Sequence, residues 1–503
     1  MISDLRGTSR RTITKSLRSA GIATVVQYAC SFALAPVVFA LAGASTFGAW
    51  ATISSILAVG ALADAGLRLE ISRRVAEAAG EGDTERMKRV VHDGTTLLCC
   101  IAFAVFVLGG VLAPVIRGFA FPSGMLDLSN FEADLLLRAT FAILAFSLVT
   151  DGYFAVLRGV QRGDVETNGR MVSVVCGTAL SLAGLELGWG IWALLAGAAA
   201  MNIVAVAFQA IATRRVVPEV GFRLRSLRGT KWQNLLAFSS LALLSQLSDV
   251  VDSQWDKLVL SRYVGSSAVA SFQLGTTLAL QAKALALLPV APLLVAVAEL
   301  RRRDPALLAR LLRSLSSATF ALAALALSGV VAFAPAFLRL WIGEDLPQAV
   351  TAARLFSIAI ALNLVAAPLA YRALAEGKHR LTAIASGCNI AVNAVTSYVL
   401  TIAVGFRGPL VGSIVGNLCG TVVFFVLMAR SLQPDMLTQA LRCVAVGVAA
   451  AVTAIAAGSD AISTWTVFAV AVIAFSATVG SLLSWMGVLP VREIIRRDMA
   501  AVR

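Results

Sequence analysis

The sequence predicts an all-α polytopic membrane protein of about 14 transmembrane helices, on three observations. Mean hydropathy is +0.84, with 58% hydrophobic and only 14% charged residues, outside the range of soluble globular domains. Apolar runs of about 20 residues, each long enough to cross a ~30 Å hydrocarbon core, recur from end to end. Basic residues gather in the short segments between alternate runs, as they do where charge sets orientation in a membrane.

The same features exclude other classes. A net charge of +14 suggests nucleic acid, but its dispersal among apolar runs does not. The seven cysteines (Cys30, Cys99, Cys100, Cys176, Cys388, Cys419, Cys443) lie in or at the ends of apolar runs, without disulfide or metal-ligand spacing. No GxxxxGK[ST] loop is present, so the chain is not expected to carry its own ATPase. Neither a metal nor another cofactor is expected, and both histidines (His92, His379) fall in predicted cytoplasmic loops.

Span 1 covers about 17–41 after a basic start (Arg6, Arg10, Arg11, Lys15, Arg18). It is too long for a signal h-region and is expected to be retained. Span 2 runs from the turn Gly43–Ser45 to about Leu69, and a charged segment, Arg73–His92, follows. Spans 3 to 6 lie near 94–116, 133–157, 171–187 and 190–213. A basic linker with Pro218 (214–231) leads to spans 7 and 8, which make up the stretch from about Gln246, inside span 7, to Pro292. The remaining six lie near 311–334, 348–374, 381–404, 409–428, 438–457 and 464–486. The expected organisation is a six-helix half (1–213), the linker (214–231), a second six-helix half (232–430), and two extra helices with a basic tail (431–503). This threading puts every Lys and Arg on one side except Arg117, Arg138, Lys257, Arg262, Lys283, Arg339, Arg354 and Arg407. Such asymmetry predicts that both termini are cytoplasmic.

An internal repeat supports the two halves. Gly43-Ala44-Ser45-Thr46-Phe47 and Gly265-Ser266-Ser267-Ala268-Val269 each lead into a helix, 222 residues apart. Asp83-Thr84 and Asp304-Pro305 each read as an N-cap and first helical residue, and Arg158 and Gly163 match Arg372 and Gly377. Same-sense halves are expected to pack as pseudo-symmetric bundles around a central cavity, about an axis along the membrane normal.

The organising stretch is Gln246–Pro292. Asp249, Asp252 and Asp256 fall at i, i+3 and i+7, on one face of span 7, with Lys257 beside them. Charges inside a span usually face a cavity or one another, so this face reads as the polar wall of a solute path. The alternative for Asp256 and Lys257 is a place at the outer interface, the lysine snorkelling to water. Span 8 adds Gln273, Gln281 and Lys283. Asp64 and Asp151, at cytoplasmic helix ends near Arg68 and Arg158, read as a charged cytoplasmic gate or as simple helix-stabilising pairs.

With these landmarks the chain resembles the Wzx-type oligosaccharide flippases of the multidrug/oligosaccharidyl-lipid/polysaccharide (MOP) superfamily. The matching pieces run in order from about Leu17 to Arg430. They are Gly43 to Trp50, Ala63-Asp64-Ala65-Gly66-Leu67, Trp255-Asp256-Lys257-Leu258-Val259-Leu260 with Val264-Gly265, Pro289 and Pro292, Leu340-Trp341-Ile342-Gly343, and Ala375-Glu376-Gly377-Lys378. The resemblance implies twelve core helices, often with two more. It implies a carrier that is not an enzyme, in a bacterial inner membrane. Its cargo would be a polyprenyl-pyrophosphate-linked oligosaccharide moved to the outer leaflet for cell-surface polysaccharide assembly. Lipid II flippases share this general architecture.

Such a cargo needs cations for its pyrophosphate and polar groups for its sugar. Arg138, Lys283 and Arg354 are the expected anion contacts, with Lys257 near the outer end of span 7. The alternative is that they form ion pairs with Asp249 or Asp252. With the interior negative, an anion moving outward gains about 2.3 kcal/mol per charge per 100 mV, so membrane potential alone is a candidate driving force. The acidic face of span 7 is the candidate site for H⁺ or Na⁺ coupling. Expected partners are the lipid-linked oligosaccharide, membrane lipids and other polysaccharide-assembly proteins, with no nucleic acid and a monomeric state favoured. Competing readings are a drug or cation antiporter of the same superfamily, disfavoured by the cavity cations, and an integral-membrane glycosyltransferase or polymerase. The enzyme reading is disfavoured by short outer loops, the longest being about Arg117–Glu132.

Overall fold

The computed structural model describes residues 10–60, 62, 65–121, 128–218, 254–289, 305–376, 378–429, 434–459 and 462–486. Every regular element among them is helical. In order these are α1 (Arg10–Gly60), α2 (Ala65–Glu81), α3 (Thr84–Ala120), α4 (Asn130–Gly159), α5 (Gly163–Glu186), α6 (Ile191–Val216), α7 (254–263), α8 (Ser266–Leu287), α9 (Pro305–Ile342), α10 (Pro347–Ala375), α11 (His379–Val404), α12 (Arg407–Leu427), α13 (Pro434–Ala456) and α14 (Trp465–Trp485). Among the described residues, 10 helices are long and apolar enough to cross a membrane. The chain divides into two compact units, Met1–Gln254 with Gly265–Ser267, and Trp255–Val264 with Ala268–Arg503.

In the first unit, α1 is two helices joined at Gly43, whose φ of 81° and ψ of 166° break the spiral. A side chain at that positive φ would strain the backbone, so the turn needs glycine. Span 2 ends earlier than expected, at Gly60, and the charged segment that follows is itself a helix, α2. Two sequence features sustain it. Leu67, Ile71, Val75 and Ala78 make a buried stripe against α3 and α4. On the polar side Arg73 and Arg74 both bond Glu70, at 2.8 and 2.6 Å, and Arg73 reaches Glu77. The turn at Gly82 then presents Asp83, whose carboxylate accepts from the backbone N of Arg86 at 2.8 Å and caps α3 as its sequence predicts. Helix α3 has 37 residues, about 55 Å, so it stands well clear of a ~30 Å core at one end or both. A capping box of Ser129 and Glu132 starts α4. Helices α5 and α6 approach through small residues: a Cβ on Gly197 would lie 1.8 Å from Ser181 Oγ.

Glu70 is 1% exposed. Burial raises its pKa, but hydrogen bonds and charge from Arg73 and Arg74 outweigh that, and the net effect is a lowered value. The linked stability is therefore complete above the ordinary carboxylate value of 4.5 and is lost as pH falls through the lower folded value. Glu70→Gln is expected to cost about 1–2 kcal/mol at neutral pH and to remove part of the acid sensitivity of the thermal melt. Melting curves between pH 7 and pH 3 check this; identical acid profiles for the two proteins would contradict it.

The second half of the chain repeats several of these devices. Gly265 (φ 117°) sits at the α7–α8 turn as Gly43 does in α1. Helix α9, with 38 residues and Pro335 near its end, matches α3 with Pro114. Its start at Pro305 agrees with the expected first position, while Asp304 and Gly377 lie outside the described residues. Gly190 and Gly405 share nearly one conformation, φ/ψ 53°/−128° and 63°/−128°. Helices α11 and α12 cross as closely as α5 and α6, a Cβ on Gly412 lying 2.2 Å from Ser397 Oγ. The two extra helices, α13 and α14, bury Ala440, Cys443, Val446, Val479 and Leu483 against Phe320 and Ala321 of α9.

Candidate functional site

Within the first unit, α1, α2, α4, α5 and α6 enclose a polar pocket of about 420 Å³. Gln27 of α1, Arg68 of α2, Ser147, Thr150 and Asp151 of α4, Arg170 and Ser173 of α5, and Asn202 of α6 supply its polar lining, with Phe154 and Met201 among the apolar groups. Each position follows from local sequence. Arg68 lies in the first turn of α2, which starts at Ala65, and its guanidinium donates to Asp151 of α4 at 3.1 Å. Ser147 and Thr150 donate to Leu144 O and Phe146 O of their own helix, and Asn202 Nδ2 donates to Ala198 O. Their own oxygens are thereby left as acceptors within the lining. Arg170 has no ion pair or side-chain hydrogen bond among the described residues. Two guanidinium groups and one carboxylate give the described lining a net charge of +1, which favours an anion.

Arg170 corrects the sequence reading. Span 5 is expected to start at Met171, which makes Arg170 a loop charge. Helix α5 in fact begins at Gly163, with Asp164 and Glu166 in its first turn, so Arg170 lies about two turns inside it. The buried carboxylates explain the extension. Arg158 grips Glu166 with two bonds of 3.0 and 2.7 Å, Gln209 Nε2 donates to Glu166 O at 3.0 Å, and Arg162 pairs with Asp164 at 3.1 Å. The charges of the expected gate thus sort as Arg68 with Asp151 and Arg158 with Glu166; Asp64 lies outside the described residues. Arg372 pairs with Glu376 at the matching end of α10, at 2.9 Å, and Lys378 joins them at 2.7 Å.

The other candidates fall into distinct surroundings. Arg138 is exposed on α4, in one stripe with Phe131, Leu135 and Phe146. Lys283 is half-buried on α8, without an ion pair or hydrogen bond among the described residues. Arg354 stands as deep in α10 as Arg138 does in α4, but its Nε donates to Val331 O of α9 at 3.0 Å. Asp249 and Asp252 lie outside the described residues. Asp256 is 0% exposed and accepts from Ser413 Oγ of α12 at 2.9 Å. Lys257 is 8% exposed, so it does not snorkel to water. Around Asp256 the second unit holds further buried polar groups: Ser397 donates to Asn393 Oδ1 at 2.7 Å, and Asn417 donates to Ser413 O at 2.9 Å. No group of three or more potential metal ligands occurs among the described residues.

No curated protein matches the sequence. Among solved structures the chain resembles a lipid II flippase, MurJ, in an inward closed conformation, at 12% identity and a TM-score of 0.74 over 96% of this chain and 99% of that one. It resembles an inward-facing multidrug resistance MATE family transporter of the MOP superfamily at 18% identity and a TM-score of 0.63, over 80% and 93%. A MOP superfamily transporter from Pyrococcus furiosus, described as having a binding pocket of reversed polarity, matches at 18% identity and a TM-score of 0.55, over 86% and 97%. At these identities the likeness establishes the fold, which is that of the MOP transporters. The family model described as "Polysaccharide biosynthesis protein" matches residues 13–298, more than half of the chain. Membrane-length apolar helices and this match lead to one assignment: the chain is an integral membrane protein of the polysaccharide biosynthesis family, with a fold shared by MurJ and by transporters of the MOP superfamily.

Proposed function

We propose that the protein is a flippase for a polyprenyl-pyrophosphate-linked oligosaccharide, moved from the cytoplasmic to the outer leaflet of a bacterial inner membrane by alternating access. The observation that carries this reading is the +1 polar pocket of the first unit, with Arg170 on one wall and Arg68 held by Asp151 on another. Only the polar end of such a cargo needs shelter from hydrocarbon. Arginine suits a phosphate because its planar fork donates two parallel bonds. Gln27, Asn202, Ser147 and Thr150 offer the mixed donors and acceptors that sugar hydroxyls require. Lys283 and Arg138 are further candidate contacts along the route. The basic segments face the cytoplasm in this reading, with both termini there, and polysaccharide-assembly enzymes act before and after the step.

Membrane potential favours export of the anion by about 2.3 kcal/mol per charge per 100 mV. The buried carboxylate Asp256, with Ser413, is the place where H⁺ or Na⁺ would couple. The experiment is uptake of a fluorescent pyrophosphate-linked oligosaccharide lipid in sealed vesicles, with potential, pH gradient and Na⁺ gradient set separately. A rate that rises with potential and falls in Asp256→Asn only when a cation gradient is present supports both parts. Indifference to every cation gradient removes the coupling role, and transport of lipid II in preference to the oligosaccharide lipid would favour the lipid II reading over this one.

A further inference from the structure

Arg354 belongs to a second cavity that the flippase reading does not use. Helices α9, α10 and α13 of the second unit line a groove of about 480 Å³, the range of a small-molecule site. Leu327 and Val331 of α9, Ile358 and Leu362 of α10, and Val448 and Val452 of α13 are typical of a lining that is almost wholly apolar. Ser328 and Ser357 also line it but donate to Ala324 O and Ala353 O of their own helices. That leaves the Arg354 guanidinium as the charged group of the lining among the described residues. From Phe320 to Val331 along α9, and from Ala440 to Ile455 along α13, the lining extends over about 17 and 23 Å. An apolar cavity of this shape does not hold water stably. Ile358, Val448 and Val452 are exposed along it, so the groove is open along its length.

Arg354 is seven residues, about 10 Å, from the start of α10 at Pro347. From that depth a long basic side chain still reaches the phosphate level of a bilayer. The groove therefore combines a greasy slot of roughly one lipid chain's length with a cation at one end. We propose that it holds one acyl chain of an anionic phospholipid whose phosphate sits on Arg354. The site lies wholly within the second unit and is independent of the polar pocket of the first. Arg354 would then hold a resident lipid instead of travelling cargo.

The test is native mass spectrometry of the full-length protein, released from detergent in the presence of phosphatidylglycerol, phosphatidylcholine or a polyprenyl monophosphate. The wild type is expected to retain one phosphatidylglycerol in preference to phosphatidylcholine. Arg354→Ala should lower that occupancy at least about tenfold, the factor carried by one charge-assisted hydrogen bond. Arg354→Lys, which keeps the charge, should lose less. Val448→Trp, at an exposed position that fills the slot without touching the arginine, should lower it as well. Equal retention of the two phospholipids, occupancy indifferent to both Arg354→Ala and Val448→Trp, or displacement of phosphatidylglycerol by an equal amount of the polyprenyl phosphate would each overturn the proposal.

Discussion

Arg170→Ala is expected to slow export of the pyrophosphate-linked oligosaccharide by about ten- to hundredfold, the cost of one charge-assisted contact to a phosphate. The residue makes no ion pair among the described residues, so its loss should leave the fold intact and the melting temperature within a degree or two. Arg170→Lys keeps a point charge but not the planar fork, and should fall between the two. Initial rates in vesicles at matched protein amounts read the effect. A rate unchanged in Arg170→Ala would remove the anion-contact role, and a large drop in melting temperature would make the residue structural.

Asp151→Ala is the second large effect. The carboxylate is what holds Arg68 against α4, at 3.1 Å, in a pair that is only partly exposed. Without it Arg68 keeps its charge but loses its place, so the cargo concentration for half-maximal rate should rise by about tenfold while folding suffers by no more than about 1 kcal/mol. Arg68→Ala should act on the same quantity, and the double variant should be less impaired than the two single effects added together. A coupling of about 0.5–3 kcal/mol marks residues that act as one unit. Strict additivity would mean that the two residues serve separate tasks.

Much of this architecture was legible in the chain because membranes demand so much of it. Apolar length and the side preference of Lys and Arg located most helices, and Asp83-Thr84 announced its own cap, which the bond to Arg86 N realises. Gly43 and Gly265 marked their turns through the one residue that tolerates those φ values. Helix α2 was harder to read. Its composition is that of a loop, and what makes it helical is a ladder of Glu70, Arg73, Arg74 and Glu77 contacts together with a buried stripe that hydropathy averages away.

The site was legible only in part. Intramembrane charges pointed to Arg138, Lys283, Arg354 and Asp256, yet sequence spacing does not tell which neighbour each one meets. Arg354 turns to a carbonyl of α9, Asp256 to a serine of α12, and Arg158 to Glu166 across the α4–α5 turn. Arg170 was hidden by a helix start placed eight residues late. The usable signal was there, because Arg170 and Ser173 sit at i and i+3 and so share a helical face.

The central claim is that the first unit's pocket shelters the anionic headgroup. A density map of the full-length protein in lipid, with a polyprenyl-pyrophosphate-linked oligosaccharide bound, tests it most directly. The claim requires phosphate density within hydrogen-bonding distance of Arg170 and Arg68, and sugar density towards Gln27 and Asn202. Phosphate density elsewhere, with that pocket empty or filled by lipid tails, would contradict it.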